Sequence, residues 1–185
     1  MERELVLRAQ GGDHDAFSEL CAVHLGRLNA IARLILHDEY LAREAVQDAL
    51  IDAWRGIRGL RDPDRLEAWF RRLLVHACHG RARAQWRRQV NEISLPAGLE
   101  PAVASDTAQV ERRDQLQRGL RQLGPDQRAV LVLTYYLDLP LADAAAALDI
   151  PLGTMKSRLN RATQALRAAV EADDRPPALS TRAIN

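Results

Sequence analysis

The sequence predicts an all-α protein built as two small helical domains, an N-terminal helical bundle and a C-terminal helix-turn-helix, joined by a flexible linker. Three observations carry this. Aromatic residues are only 4% of the chain, so the core must be made of Leu, Ala, Val and Ile, a composition that favours helices over sheets. Apolar residues recur at helical spacing through both halves. Between the halves, Gln89 to about Asp106 holds Pro96, Gly98 and Pro101 with few large apolar residues, which reads as a linker. A length of 185 residues suits two such domains. The expected divisions are 1–88, a linker over 89–109, 110–172, and a polar, disordered tail over 173–185 that contains Pro176-Pro177.

In the first half, Glu2 to Gln10 reads as a short helix closed by Gly11-Gly12. Asp13 is placed to cap a second helix, whose stripe runs Phe17, Leu20, Cys21, His24, Leu25, Leu28, Ile31, Ala32, Ile35 and Leu36. Asp38 is placed to cap a third, with Leu41, Ala45, Val46, Ala49, Leu50, Ala53 and Trp54 inward. Its other face carries Glu44, Gln47, Asp48 and Asp52. Asp38 to Asp52 holds five acids against Arg43, a net of −4. On the residues alone this is a solvated acidic face. Ile57 to Asp64 reads as a loop, with Gly59 and Pro63 as breakers. A fourth helix is expected over Arg65 to Arg88, with Leu66, Trp69, Phe70, Leu73, Leu74 and Ala77 inward. From Trp69 to Arg88 there are six arginines and no acid, a single-sign run that points to nucleic acid.

In the second half, Leu116, Leu120 and Leu123 lie at helical spacing. Gly124-Pro125 marks a helix start, because proline fits the first turn where its missing N–H is not needed. Val130, Leu131, Leu133, Thr134 and Leu137 continue that helix. Leu141, Ala144, Ala145 and Leu148 form the buried stripe of a short helix that Asp149-Ile150-Pro151 ends. Asp149 is expected to tolerate left-handed geometry, and Pro140 stands where a capping Ser or Thr is usual. The last helix puts Met155, Leu159, Ala162, Leu166 and Ala169 on one side and Lys156, Ser157, Asn160, Arg161 and Gln164 on the other. Pro151 to Val170 holds four cations and no acid, a net of +4. A solvated face usually mixes signs, so this helix fits a major-groove reader.

Gly153-Thr154-Met155-Lys156-Ser157-Arg158-Leu159, preceded by Ile150-Pro151, resembles the region-four signature of the extracytoplasmic-function (ECF) sigma factors of bacterial RNA polymerase. Leu123 to Val130 resembles the start of the same region. Ala45 to Trp54 resembles the region-two helix that docks on the coiled coil of the polymerase β′ subunit. The resemblance covers nearly the whole chain. It implies that the first domain is region 2 and the second region 4, and that the protein directs core polymerase to promoters with a minus-10 and a minus-35 element.

The resemblance implies roles residue by residue. Thr154, Lys156, Ser157, Arg158, Asn160 and Arg161 would meet minus-35 DNA. Of these, Arg158 lies off the outer face, where phosphate contact or internal pairing suits it better. Arg58, Arg61, Asp62, Arg81, Arg83, Arg87 and Arg88 would meet minus-10 DNA. In the family the loop after the acidic helix captures a flipped base, and with no aromatic in that loop polar contacts would hold it here. Gln47, Asp48, Ile51 and Asp52 would bind polymerase. The implied partners are the β′ coiled coil and β flap of core polymerase, promoter DNA and an anti-sigma factor.

Other classes fare less well. A stand-alone operator-binding regulator would need a sensing pocket or dimer seam in the first half, where this chain has an acidic helix and an arginine-only one. A protein that only sequesters a partner would not need the basic faces. No nucleophile–base motif, Walker loop or glycine-rich phosphate cradle is visible, so no enzyme activity is expected. Cys21 with His24, and His76 with His79 around Cys78, have spacings that could hold zinc. Core cysteines and surface histidines are the simpler account, and neither metal nor cofactor is expected. No signal peptide or membrane-length apolar run is seen, which points to the cytoplasm.

Overall fold

The computed structural model describes residues 2–91 and 108–173, and among these every regular element is helical. The reading of the linker lies mostly, and that of the tail almost wholly, outside the described residues. Helix α1 (Glu2–Gln10) buries Leu5, Val6 and Ala9. Helix α2 (His14–Leu36) starts at Asp13, whose carboxylate accepts from the Asp15 and Ala16 amides at 3.0 Å each. These amides, with Arg8 behind them, hold the Asp13 carboxyl below its ordinary range. Helix α3 (Glu39–Gly56) starts at Asp38, which accepts from the Leu41 amide at 2.8 Å. Its inner face is Ala42, Ala45, Val46, Ala49 and Ala53, small enough to let α3 lie close along α4 (Leu66–Asn91).

The loop between α3 and α4 is more ordered than its breakers suggest. It forms two 3-10 turns, Ile57–Gly59 and Pro63–Arg65. Ile57, Leu60 and Pro63 are buried. The Gln10 amide donates to the carbonyls of Ile57 (3.0 Å) and Leu60 (2.7 Å), and Arg3 pairs with Asp64 at 2.8 Å. The short first helix therefore holds this loop in shape. Helix α4 begins one residue later than the sequence suggested and runs on past Arg88 to Asn91.

The second group of helices is α5 (Ala108–Arg121), α6 (Pro125–Leu131), α7 (Leu141–Leu148) and α8 (Leu152–Asp173). Gly119 lets α5 approach α8, since a Cβ there would sit 3.0 Å from Val170 and 3.1 Å from Leu166. Gln127 closes the start of α6 by accepting from the Gly124 amide at 3.1 Å. The expected continuation of this helix through Leu137 is corrected. Val132–Tyr136 widens into a π turn, closed by Leu137 N–H to the Val132 carbonyl at 3.0 Å. Leu116, at helical spacing with Leu120 and Leu123, is 45% exposed, and Leu25 of the α2 stripe is 41% exposed. Asp149 does adopt left-handed geometry, φ 54°, and Pro140 precedes α7 without a side-chain cap.

The two groups meet. Helix α6 packs on α2 and α4, α7 packs on α4, and the buried apolar residues form one continuous cluster. At the seam lies Arg128 of α6, the buried charged residue among those described. Its guanidinium donates from Nε to the Ile35 carbonyl (2.5 Å) and from Nη2 to the Leu36 carbonyl (3.3 Å), at the C-terminal end of α2. These are carbonyls that the last helical turn leaves without partners.

Candidate nucleic-acid and polymerase interfaces

Helix α8 is anchored by Met155 and Ala162, both at 0% exposure. That anchorage fixes what faces outward: Lys156, Ser157, Asn160 and Arg161 are exposed and Thr154 is half-buried at the helix start. Several of these side chains lie along their own helix. Ser157 Oγ donates to the Thr154 carbonyl (3.0 Å), and Arg161 Nε donates to the Ser157 carbonyl (3.3 Å). Gln164 donates to the Asn160 amide oxygen (3.4 Å). Arg158 is turned inward, 3.8 Å from Asp126 of α6.

The residues assigned to minus-10 DNA are not on one face. Arg58, Arg61 and Asp62 are exposed on the loop, and Asp62 caps the second 3-10 turn through the Asp64 amide at 3.1 Å. Arg83 is exposed on α4. Arg87 and Arg88 extend the same helix, with side chains outside the described residues. Arg81 is elsewhere. Its guanidinium is bidentate to Asp48 (2.6 Å twice) and also reaches Glu44 (2.6 Å). The hydrogen bond to Asp48 raises its pKa further. Sequence reasoning gave Arg81 and Asp48 to different partners; the structure brings them together across α3 and α4. Arg71 is likewise held, at 3.0 Å from Glu67.

On the far side of α3, a groove of about 970 Å³ opens between α2 and α3. Phe17, Leu25, Val46, Leu50, Ile51 and Trp54 line it, with Gln47 at its edge. His14 and Phe17 hold the Trp54 ring, at centroid distances of 4.3 Å and 5.0 Å. Ile51 is 42% exposed and also borders a second cleft, between α3 and α4, that contains Asp48 and Asp52. The four residues assigned to polymerase are thus contiguous, an apolar anchor flanked by carboxylates.

One group at the seam, His37, gave no sequence signal of function. His37 ends α2 in left-handed geometry, φ 53°, and its Nε2 is buried without a partner. Burial, then Arg128 and Arg121 nearby, lower its pKa from the ordinary 6.5 to about 4. An unfolded His37 takes a proton below about 6.5, whereas the folded one resists until about 4. Stability present above pH 6.5 is therefore lost between 6.5 and 4 as the pH falls. His37→Asn, which keeps the left-handed turn without a titrating ring, should flatten that part of the urea-midpoint profile. An identical profile in the variant would remove His37 as its source.

Residues 20–88 match the sigma-70 region 2 family, and residues 113–166 match sigma-70, region 4. The chain is 35% identical over 161 residues to the ECF RNA polymerase sigma factor SigM of Mycobacterium tuberculosis, covering 87% of this chain and 80% of that protein. This chain belongs to the ECF sigma factors. The ECF sigma factor also resembles CnrH, solved in complex with the cytosolic domain of CnrY, at 26% identity and TM-score 0.60 over 93% of this chain and 98% of that one. It shares its fold with the sigma factor RpoE of Bartonella quintana, solved with the anti-sigma factor NepR, at 24% identity and TM-score 0.66 over 85% and 98%. As a sigma factor it binds core RNA polymerase and directs promoter-specific initiation, reading minus-10 DNA with region 2 and minus-35 DNA with region 4. A stand-alone regulator is excluded, because the first half of this sigma factor is region 2 itself. The family consists of initiation factors that are not enzymes. Among the described residues of the sigma factor no helix is long and apolar enough to cross a membrane.

Proposed function

We propose that Lys156, Ser157, Asn160 and Arg161, with Thr154 at the helix start, read the minus-35 element. The observation that carries this is the exposed outer face of α8, free of acids from Leu152 to Val170 and held in place by Met155 and Ala162. Arg158, paired toward Asp126, orients α8 on α6 and meets phosphate at most. Arg58, Arg61 and Asp62 form the minus-10 loop contacts, and Arg83, Arg87 and Arg88 the phosphate contacts of α4. Arg81 reaches DNA only by giving up Asp48 and Glu44. Gln47, Asp48, Ile51 and Asp52 form the seat for the β′ coiled coil, and residues 110–172 engage the β flap.

In this reading residues 1–88 are region 2, 89–109 the linker, 110–172 region 4 and 173–185 a tail. The protein works in the cytoplasm, by binding alone. An anti-sigma factor is a further proposed partner, since RpoE of Bartonella quintana is solved with one.

The test is transcription in vitro with core polymerase on promoters differing at minus-35. Lys156→Ala and Arg161→Ala should each reduce discrimination by about tenfold, the order expected for one lost base contact. Both side chains are exposed, so the thermal midpoint should not move. Undiminished discrimination would remove these residues from the reading.

A further inference from the structure

We propose that one side chain, Arg81, serves two interfaces in turn: polymerase cations that take Asp48 release Arg81, which then grips promoter phosphate. This exchange rests on the two assignments proposed above, of Asp48 to polymerase and of α4 to minus-10 DNA.

Arg81 reaches across from α4 to α3. Its Nε and Nη2 donate to the two oxygens of Asp48 and its Nη1 to Glu44, each at 2.6 Å. Two carboxylates against one guanidinium leave a single negative charge in the cluster. The cluster is open to water: the Arg81 side chain is 30% exposed and that of Asp48 39%. An ion pair so open is weak and exchangeable, however good its geometry. Asp48 also lines the cleft that holds Ile51 and Asp52, so a partner on the polymerase seat meets it directly. The partner complementary to this acidic edge is basic. A cation arriving at Asp48 competes for the oxygens that hold Arg81, and it repels the guanidinium at the same time.

Once displaced, Arg81 has a second place to go. It lies on the helix whose Arg83, Arg87 and Arg88 are the proposed phosphate contacts. The Arg88 position is seven residues on, two turns along the same line of α4 and about 10 Å away. A guanidinium leaving Asp48 therefore joins an existing row of phosphate contacts. No acid lies between Trp69 and Arg88, so α4 offers Arg81 no competing partner of its own. Gly80 beside it leaves room for the swing, since a Cβ there would meet nothing within 4 Å. The guanidinium cannot hold Asp48 and a phosphate together. Polymerase and promoter are therefore linked through it, and each favours the binding of the other.

The test is a pair of titrations with the full chain and purified core polymerase. Labelled chain is titrated with core, and the assembled holoenzyme is titrated with a fluorescent single-stranded minus-10 oligonucleotide over a range of salt. Arg81→Gln should bind core about threefold more tightly, because Asp48 no longer has to be taken from Arg81. Its holoenzyme should bind the oligonucleotide about threefold more weakly, with a log–log salt slope shallower by about 0.7, the share of one phosphate on a single strand. Arg81→Lys keeps the charge without the fork. It should bind core more tightly than wild type and yet recover most of the oligonucleotide affinity. A residue that only ties α3 to α4 gives another pattern, in which Arg81→Gln loses core affinity and keeps the wild-type salt slope; that result overturns the exchange. If Arg81→Gln loses helical circular dichroism, Arg81→Lys decides, and weaker core binding than wild type overturns the exchange. Asp52→Ala and Arg83→Gln test the underlying assignments. If the first keeps full core affinity or the second full oligonucleotide affinity, the assignment fails and the exchange with it. If both lose affinity while Arg81→Gln behaves as wild type, the exchange alone fails.

Discussion

Phe70→Ala should destabilise the protein by about 3–5 kcal/mol, the range for removing a buried aromatic ring. Phe70 is 1% exposed at the junction of α2 and α4, with the His24 ring centroid at 5.3 Å and that of Trp69 at 5.8 Å. The ring is surrounded by helices that also pack elsewhere, so the space it leaves cannot fully collapse. Set against a total stability of about 5–15 kcal/mol, the change is a large fraction. It should appear as a lower urea midpoint with an unchanged slope. Leu25→Ala is the control: at 41% exposure it should move the midpoint little. A loss below about 1 kcal/mol for Phe70→Ala would mean that the α2–α4 junction is not where the core is anchored.

Ile51→Asp should weaken binding to core polymerase about 100-fold, or about 2.7 kcal/mol, without unfolding the chain. Ile51 is the apolar anchor between the α2–α3 groove and the cleft holding Asp48 and Asp52. At 42% exposure it carries little of the folding energy. An aspartate there removes apolar contact and adds a charge that polymerase binding would have to bury. Asp52→Ala, a rim charge, should reduce affinity only a few-fold and act mainly through the association rate. Titration of fluorescently labelled protein with core polymerase measures both. Equal affinity of Ile51→Asp and wild type would move the polymerase seat elsewhere on region 2.

Which parts were legible in the residues follows from how local their causes are. Asp13, Asp38 and the Gly124-Pro125 start act within one helical turn, and each sits where the pattern put it. Left-handed Asp149 is equally local. The outer face of α8 was legible because Met155 and Ala162 fix its phase. What was not legible depends on distant partners. Arg81 is 33 residues from Asp48 and 37 from Glu44, and sequence sees separate exposed charges where the fold makes one ion-paired cluster. Arg128 reads as an ordinary surface cation in a short helix, although it is in phase with buried Leu131 and Val132. Its acceptors lie more than 90 residues away. The π turn at Val132–Tyr136 keeps apolar residues at nearly helical intervals, so spacing alone read it as more of the same helix.

The triad of Glu44, Asp48 and Arg81 has a consequence for exchanging parts between relatives. A chimera that imports a foreign α4 to acquire a new promoter preference would strand two carboxylates 2.6 Å from a missing guanidinium. The graft must bring its own acidic neighbours on α3, and one of them, Asp48, is a residue proposed above for the polymerase seat. Helices α3 and α4 are therefore exchanged intact only as one block, and the workable cut for recombination falls before Glu39, not between α3 and α4.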